Sequence, residues 1–160
     1  MFLGNYQVKM DAKGRISIPA KYREVLSTEY GPELILTTLD HCIEAYPKQE
    51  WLLLTQQLQR LPSLKRDVRM LMRALFSTAH ECTLDSQGRI LIPAPLREYA
   101  DLRGDVVILG VNTKIEIWSK ERWDAYNSSG REQLVEIADK LAELTMERGQ
   151  NLASDRFLQT

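Results

Sequence analysis

Cysteine and histidine are both scarce. The 160 residues hold only Cys42 and Cys82, and only His41 and His80. The two thiols lack C-x-x-C spacing, so no zinc ligand set is written in the chain. Each lies in a stretch of alternating apolar residues and reads as a reduced, partly buried small hydrophobe. A Cys/His metal pair across the chain is conceivable, but the reading is of no metal and no cofactor. No apolar run approaches the roughly 20 residues a membrane span needs. The start, Met1-Phe2-Leu3-Gly4-Asn5, lacks the basic and apolar regions of a signal peptide, so a cytoplasmic protein with no membrane partner is expected. Charge of one sign is also missing: the net charge is −1, which argues against a generic polyanion binder and confines any nucleic-acid contact to a local patch. Enzyme signatures are absent too. There is no P-loop, G-x-G-x-x-G, H-E-x-x-H or G-x-S-x-G, so neither an enzyme nor a small-molecule substrate is expected.

What the chain does have is a repeat. Residues 7–26, QVKMDAKGRISIPAKYREVL, align with residues 81–100, ECTLDSQGRILIPAPLREYA, at an offset of 74. Asp11 falls on Asp85, Gly14 on Gly88, Arg15 on Arg89, and Arg23-Glu24 on Arg97-Glu98. The shared pattern is D-x-x-G-R-I-x-I-P-A-x-x-R-E. Residues 34–51 then match residues 106–123 at an offset of 72, pairing Ile43-Glu44 with Ile115-Glu116 and Trp51 with Trp123. Two long matches in the same order mean duplication.

Each copy reads as four short strands. In the first they cover residues 7–10, 15–18, 34–38 and 42–46; in the second, residues 83–85, 89–92, 105–109 and 114–118. Alternation puts Ile16 and Ile18 on one face and Arg15 and Ser17 on the other. Asp11-Ala12-Lys13-Gly14 and Ser86-Gln87-Gly88 read as turns closing bulged hairpins. Pro19 stops pairing and opens a helical turn. Four short strands would leave exposed edges, so the copies are expected to interleave their hairpins into one closed barrel. Helices are expected over residues 47–61, after an N-cap at Ser63, after Ser119, and over residues 131–148 beyond a break at Ser128-Ser129-Gly130. Residues 149–160 read as a frayed tail.

The D-x-x-G-R pattern sets an arginine at a strand start, just after a tight turn. Two such arginines, Arg15 and Arg89, would share one β surface. A guanidinium offers a planar fork of donors matching phosphate or the major-groove edge of guanine. Residues 7–26 carry five basic side chains (Lys9, Lys13, Arg15, Lys21, Arg23) and two acids, net +3, whereas residues 81–100 are net −1. More phosphate contact is therefore expected from the first copy. The plainer alternative is that Asp11–Arg15 and Asp85–Arg89 are pairs bracing their turns. The residues alone leave both readings open. Trp51 and Trp123 read as core or interface anchors.

The opening M-F-L-G-N-Y, the doubled D-x-x-G-R and the Y/W-x-K-x-x-W segment ending each copy resemble the MraZ family. That family belongs to the swapped-hairpin AbrB/SpoVT superfamily of bacterial transcription factors. The resemblance covers residues 1–148. It implies an α+β fold of two tandem AbrB-like swapped-hairpin modules forming a pseudo-dimeric β-barrel flanked by helices. The modules would span residues 5–51 and 81–124, joined by linking helices at 52–80 and followed by a C-terminal helix and tail at 125–160. It implies a cytoplasmic, nucleoid-associated regulator that binds short direct repeats in double-stranded DNA. These repeats lie upstream of its own operon, the division and cell-wall cluster, and the family forms ring-shaped homo-oligomers. Carried over by motif, Arg15 and Arg89 become DNA-contacting, Lys13 and Lys9 phosphate contacts, and Asp11, Gly14, Asp85 and Gly88 the turn-holding residues. Gln87 stands where the first copy has Lys13, which predicts unequal contact by the two copies. A reading of another class, a ring binding an acidic protein partner, would be told apart by salt titration on DNA.

Overall fold

The computed structural model describes the backbone of residues 1–157 and the side chains of residues 1–150. These divide into two compact units, residues 1–122 and the described residues from 123 on.

The first unit begins with strands β1 (Asn5–Lys9) and β2 (Arg15–Ser17), helix α1 (Ala20–Val25) and a π-helical turn (Leu26–Tyr30). Strands β3 (Glu33–Leu39) and β4 (Cys42–Pro47) follow, then helices α2 (Lys48–Gln59) and α3 (Arg66–Ser77). The second copy repeats the plan with β5 (His80–Thr83), β6 (Arg89–Leu91), α4 (Ala94–Tyr99), β7 (Asp105–Val111) and β8 (Lys114–Ser119). Pro19 and Pro93 occupy the N-cap positions of α1 and α4, as expected of a residue that ends a ladder and opens a helix. The β3–β4 turn is two residues, Asp40 and His41, both with positive φ (53° and 67°), the geometry that suits the strand twist.

The two copies interleave. In the six-stranded antiparallel sheet, ordered β1-β7-β8-β4-β3-β5, β1 pairs with β7, β4 with β8 and β3 with β5. Strand β2 pairs with β6 in a separate two-stranded ribbon. The expected barrel does not close. Among the described residues β1 and β5 remain sheet edges, and the Asp11–Gly14 and Asp85–Gly88 corners lift β2 and β6 off the sheet toward each other. Those corners therefore join strands that pair elsewhere, not the two arms of a hairpin. Side chains fill the space in between: Ile16, Ile18, Ile90 and Ile92 from the ribbon region pack with Leu36, Ile43, Ala45, Ile108, Ile115 and Ile117 from the sheet. The N-terminal segment extends the β7 edge, with Phe2 and Asn112 exchanging backbone hydrogen bonds of 2.7 and 3.0 Å. Tyr22 fastens it, its buried hydroxyl donating to the carbonyls of Leu3 (2.9 Å) and Gly4 (2.8 Å).

The opposite face of the sheet carries a smaller cluster, Ile35, Tyr46 and Trp51, with Phe76 of α3 edge-on to Trp51 at 5.4 Å. Trp51 is thus a core anchor, as expected. Beside it lies a charged trio. Glu44 and Glu116 are direct cross-strand partners on β4 and β8. Lys114 Nζ bridges them at 3.0 and 3.3 Å. Tyr46 donates its hydroxyl to Glu44, and Trp118 Nε1 donates to Glu116 at 3.1 Å. Lys114 is the repeat counterpart of Cys42, so only one copy supplies the cation. Burial opposes the charge on Lys114, but Glu44 and then Glu116 outweigh it and raise its pKa. Burial likewise pushes the Cys82 thiol up to about 11 and the Cys42 thiol higher still, in keeping with inert hydrophobic roles.

Several helix expectations need correction. Ser63 is not the cap of α3, which starts after Lys65; the Ser63 carbonyl instead accepts from Arg69 Nη1 at 3.3 Å. Ser119 does cap the next helix, α5 (Lys120–Glu132), accepting from the Arg122 backbone N–H at 3.3 Å. Helix α5 runs straight through Ser128-Ser129-Gly130, and the break falls at Gln133, before α6 (Leu134–Phe157). Weak formers inside a helix lower its stability without ending it. In the second unit, α6 continues well past the expected end at residue 148, and residues 158–160 of the expected tail lie outside the described residues.

Candidate functional site

Each D-x-x-G-R segment folds into the same tight loop. Asp11 Oδ1 accepts the backbone N–H groups of Lys13 (3.0 Å) and Arg15 (2.9 Å), while Oδ2 accepts Arg15 Nε at 2.7 Å. The Gly14 N–H donates to the Asp11 carbonyl (3.1 Å), with Gly14 at φ 86°. The second loop repeats this. Asp85 Oδ1 accepts from Gln87 (2.9 Å) and Arg89 (3.0 Å), Oδ2 accepts Arg89 Nε (2.9 Å), and Gly88 sits at φ 74°. Both glycines occupy the left-handed region where a β-carbon is strained. The backbone N–H of Arg15 holds the Asp11 carboxyl below the ordinary carboxylate range; the Arg89 N–H does the same for Asp85. Of the two readings left open by the residues, the geometry shows the bracing: each aspartate holds its turn and grips the arginine through Nε. The Nη groups of Arg15 and Arg89 have no protein hydrogen-bond partner among the described residues.

The ribbon puts both arginines on one surface. Arg15 pairs with Leu91, Ile16 with Ile90 and Ser17 with Arg89. Ile16 and Ile90 point into the core, so alternation turns Arg15, Ser17, Arg89 and Leu91 outward. The two arginines are diagonal neighbours about the centre of the pairing. Their side chains keep 30% and 26% of their surface exposed. The ladder is prolonged by Ile18 N–H to the Gly88 carbonyl and Ile92 N–H to the Gly14 carbonyl, both 2.9 Å. Each turn is thereby tied to the other copy.

The remaining expected residues scatter. Lys13 is exposed at the tip of the first loop, next to Arg15. Lys9 is exposed on β1 of the main sheet, opposite Asp105, and is not part of the ribbon. Arg23 belongs to the second turn, not the first. A β-carbon built on Gly88 would lie 2.5 Å from Arg23 Cδ and 2.7 Å from its Nη1. Reciprocally, a β-carbon on Gly14 would meet Arg97 Nη1 at 2.4 Å, Cζ at 2.6 Å and Nε at 2.9 Å. Each turn thus receives one arginine from the opposite copy, an exchange of equal charges that leaves the balance of each turn as counted. The only signal in the sequence was the R-E that ends both copies of the motif.

The comparisons with known proteins agree with the repeat. The family model described as MraZ protein matches twice, over residues 1–74 and 75–144. Similar proteins named "Transcriptional regulator MraZ" include one from Alkaliphilus oremlandii, 50% identical over 145 residues, covering 90% of this chain and 99% of its own. Another, from Syntrophomonas wolfei, is 48% identical with the same coverages. A third, from Desulforamulus reducens, is 42% identical over 144 residues, again 90% and 99%.

Proposed function

The chain belongs to the MraZ family of transcriptional regulators, which is not a family of enzymes, and from that premise we propose that it regulates transcription by binding DNA sequence-specifically through the β2–β6 ribbon. The observation that carries this reading is the pair of turns that present Arg15 and Arg89 on one outward face with their Nη groups free. A two-stranded ribbon fits the major groove, and a guanidinium fork reads the O6 and N7 edge of guanine. Lys13 adds a phosphate contact at the first turn. Lys9, on the neighbouring sheet, reaches only the DNA flanking the ribbon. The targets are short direct repeats upstream of the chain's own operon in the division and cell-wall cluster, placing the protein on the nucleoid in the cytoplasm. The two modules, residues 5–51 and 81–124, act as one reading head carried by the helices at 52–80 and 125–160.

Its second partner is itself. Exposed Leu64 and Met70 around α3, and Leu134, Leu141 and Leu144 along α6, are apolar surface of the kind that subunit contacts bury. A ring of such subunits would engage successive repeats at high effective concentration.

The test is fluorescence anisotropy of the protein with its own upstream DNA across salt concentrations, comparing wild type with Arg15→Ala, Arg89→Ala and the double variant. Each variant is first shown to be folded by circular dichroism. Arg15→Ala is expected to lose about tenfold or more in specific affinity, the scale of one bidentate base contact. Equal binding by all variants, or no binding to any fragment, would overturn the reading and leave the arginines as turn braces.

A further inference from the structure

Arg23 and Arg97 take no part in the charge pairing around them. Neither makes an ion pair or a side-chain hydrogen bond among the described residues, and Arg97 Nε is buried without any partner. An arginine that forgoes every acceptor while its Nε is desolvated is held there by packing. What it packs on is the opposite copy's turn glycine, and the arrangement is reciprocal: Arg97 from α4 on Gly14, Arg23 from α1 on Gly88. Arg97 also lines a hollow of about 410 Å³ with Met10, Glu98, Asp101 and Leu102.

We propose that Arg97 and Arg23 are crossed positioning residues for DNA reading. Arg97 sets the first turn and hence Arg15; Arg23 sets the second turn and hence Arg89. This rests on the ribbon being the DNA-reading surface. Two features carry it. The glycine at each turn leaves its Cα open to a flat group, and the planar guanidinium fills that space where a β-carbon would collide. The turn glycines themselves are buried although they flank exposed loop tips. The guanidinium so limits how far the Asp-gripped arginine beside it can move. It also keeps a positive charge beside a turn whose own Asp and Arg cancel. Each turn receives one such charge, so the second, with Gln87 in place of Lys13, still has one cation fewer than the first.

Two readouts test this on the intact chain. The first needs no DNA: hydrogen–deuterium exchange of the peptides covering residues 11–15 and 85–89. Arg97→Ala is expected to speed exchange at residues 11–15 while leaving 85–89 unchanged, and Arg23→Ala to do the reverse. Loosening of both turns together, of the turn in the same copy, or of neither overturns the proposal. The second readout is anisotropy with Arg97→Lys and Arg23→Lys, which retain charge but lose the plane. Specific affinity is expected to fall about tenfold while binding to unrelated DNA and the salt slope hold. A parallel fall in specific and unrelated binding, with a shallower slope, would make these residues phosphate contacts instead. Full rescue by lysine also overturns the proposal. Absence of specific binding by the wild type would overturn the DNA-reading assignment and the role in DNA reading with it, whereas a missing crossed exchange pattern overturns the positioning of the turns whatever the ribbon binds.

Discussion

Replacing Lys114 with methionine should expose how the sheet tolerates two glutamates facing each other across β4 and β8. Glu44 is 2% exposed, Glu116 18% and Lys114 20%. Removing the shared cation leaves two neighbouring carboxylates in a largely desolvated place. Breaking a buried pair this way typically costs about 3–5 kcal/mol. The loss in Lys114→Met should therefore be about 3–4 kcal/mol at pH 7. Urea unfolding monitored by circular dichroism measures it. Adding Glu116→Gln should recover most of the loss, since the remaining carboxylate then faces a neutral amide. A loss below about 1 kcal/mol, or no recovery on adding Glu116→Gln, would refute the reasoning. The pH dependence in the wild type follows from Lys114 itself. The raised pKa of Lys114 gives stability that is complete below the ordinary lysine value of about 10.4 and is lost as pH climbs through the raised one.

The Tyr22 hydroxyl and the two turn aspartates give further expected outcomes. Tyr22→Phe should cost about 1–3 kcal/mol in thermal or urea unfolding, because the Leu3 and Gly4 carbonyls lose their shared donor. The same burial pushes the Tyr22 hydroxyl up to about 12; Tyr30 and Tyr46 are raised as well, so spectrophotometric titration should show one fewer late-ionising tyrosine in the variant than in the wild type. Asp11 and Asp85 have depressed folded pKa values, so their contribution is present above the ordinary value of 3.8 and is lost as pH falls through the depressed ones. Exchange protection at residues 11–15 and 85–89 should accordingly vanish in acid, and should already be reduced at neutral pH in Asp11→Ala and Asp85→Ala.

Much of this was legible in the sequence, because a repeat is a statement about pairing. Two copies of four short strands cannot each cover their own edges, so interleaving was foreseeable, and β1 with β7 or β2 with β6 realises it. The turn chemistry was half legible: Asp followed three residues later by Gly and Arg offered a side-chain-braced turn as one of two readings, but the bulged hairpin expected around it does not form. Alternation put Arg15 outside and Ile16 inside. Closure was not legible. Period-two alternation says which face is buried but not whether two edges meet, and here isoleucine side chains bridge a gap that no ladder spans. Nor could the crossing of Arg23 and Arg97 be read, because chain neighbourhood is a poor guide to space once the copies exchange partners. The Glu44 cluster was hidden for a related reason: a glutamate in a strand reads as the solvent side, and only the helices over that face of the sheet make it interior.

Fusion of the two interleaved halves into one chain has a directional consequence. A pair of identical subunits related by a two-fold axis looks the same from either end and so matches palindromic half-sites. Here the halves are held in the same mutual arrangement but need not stay identical, and they have not: Lys13 faces Gln87 across the ribbon's pseudo-axis, and Lys114 answers Cys42. The ribbon consequently has a front and a back. If the ribbon reads DNA as proposed, its two orientations on a site should differ in affinity, and a row of such readers should all point the same way.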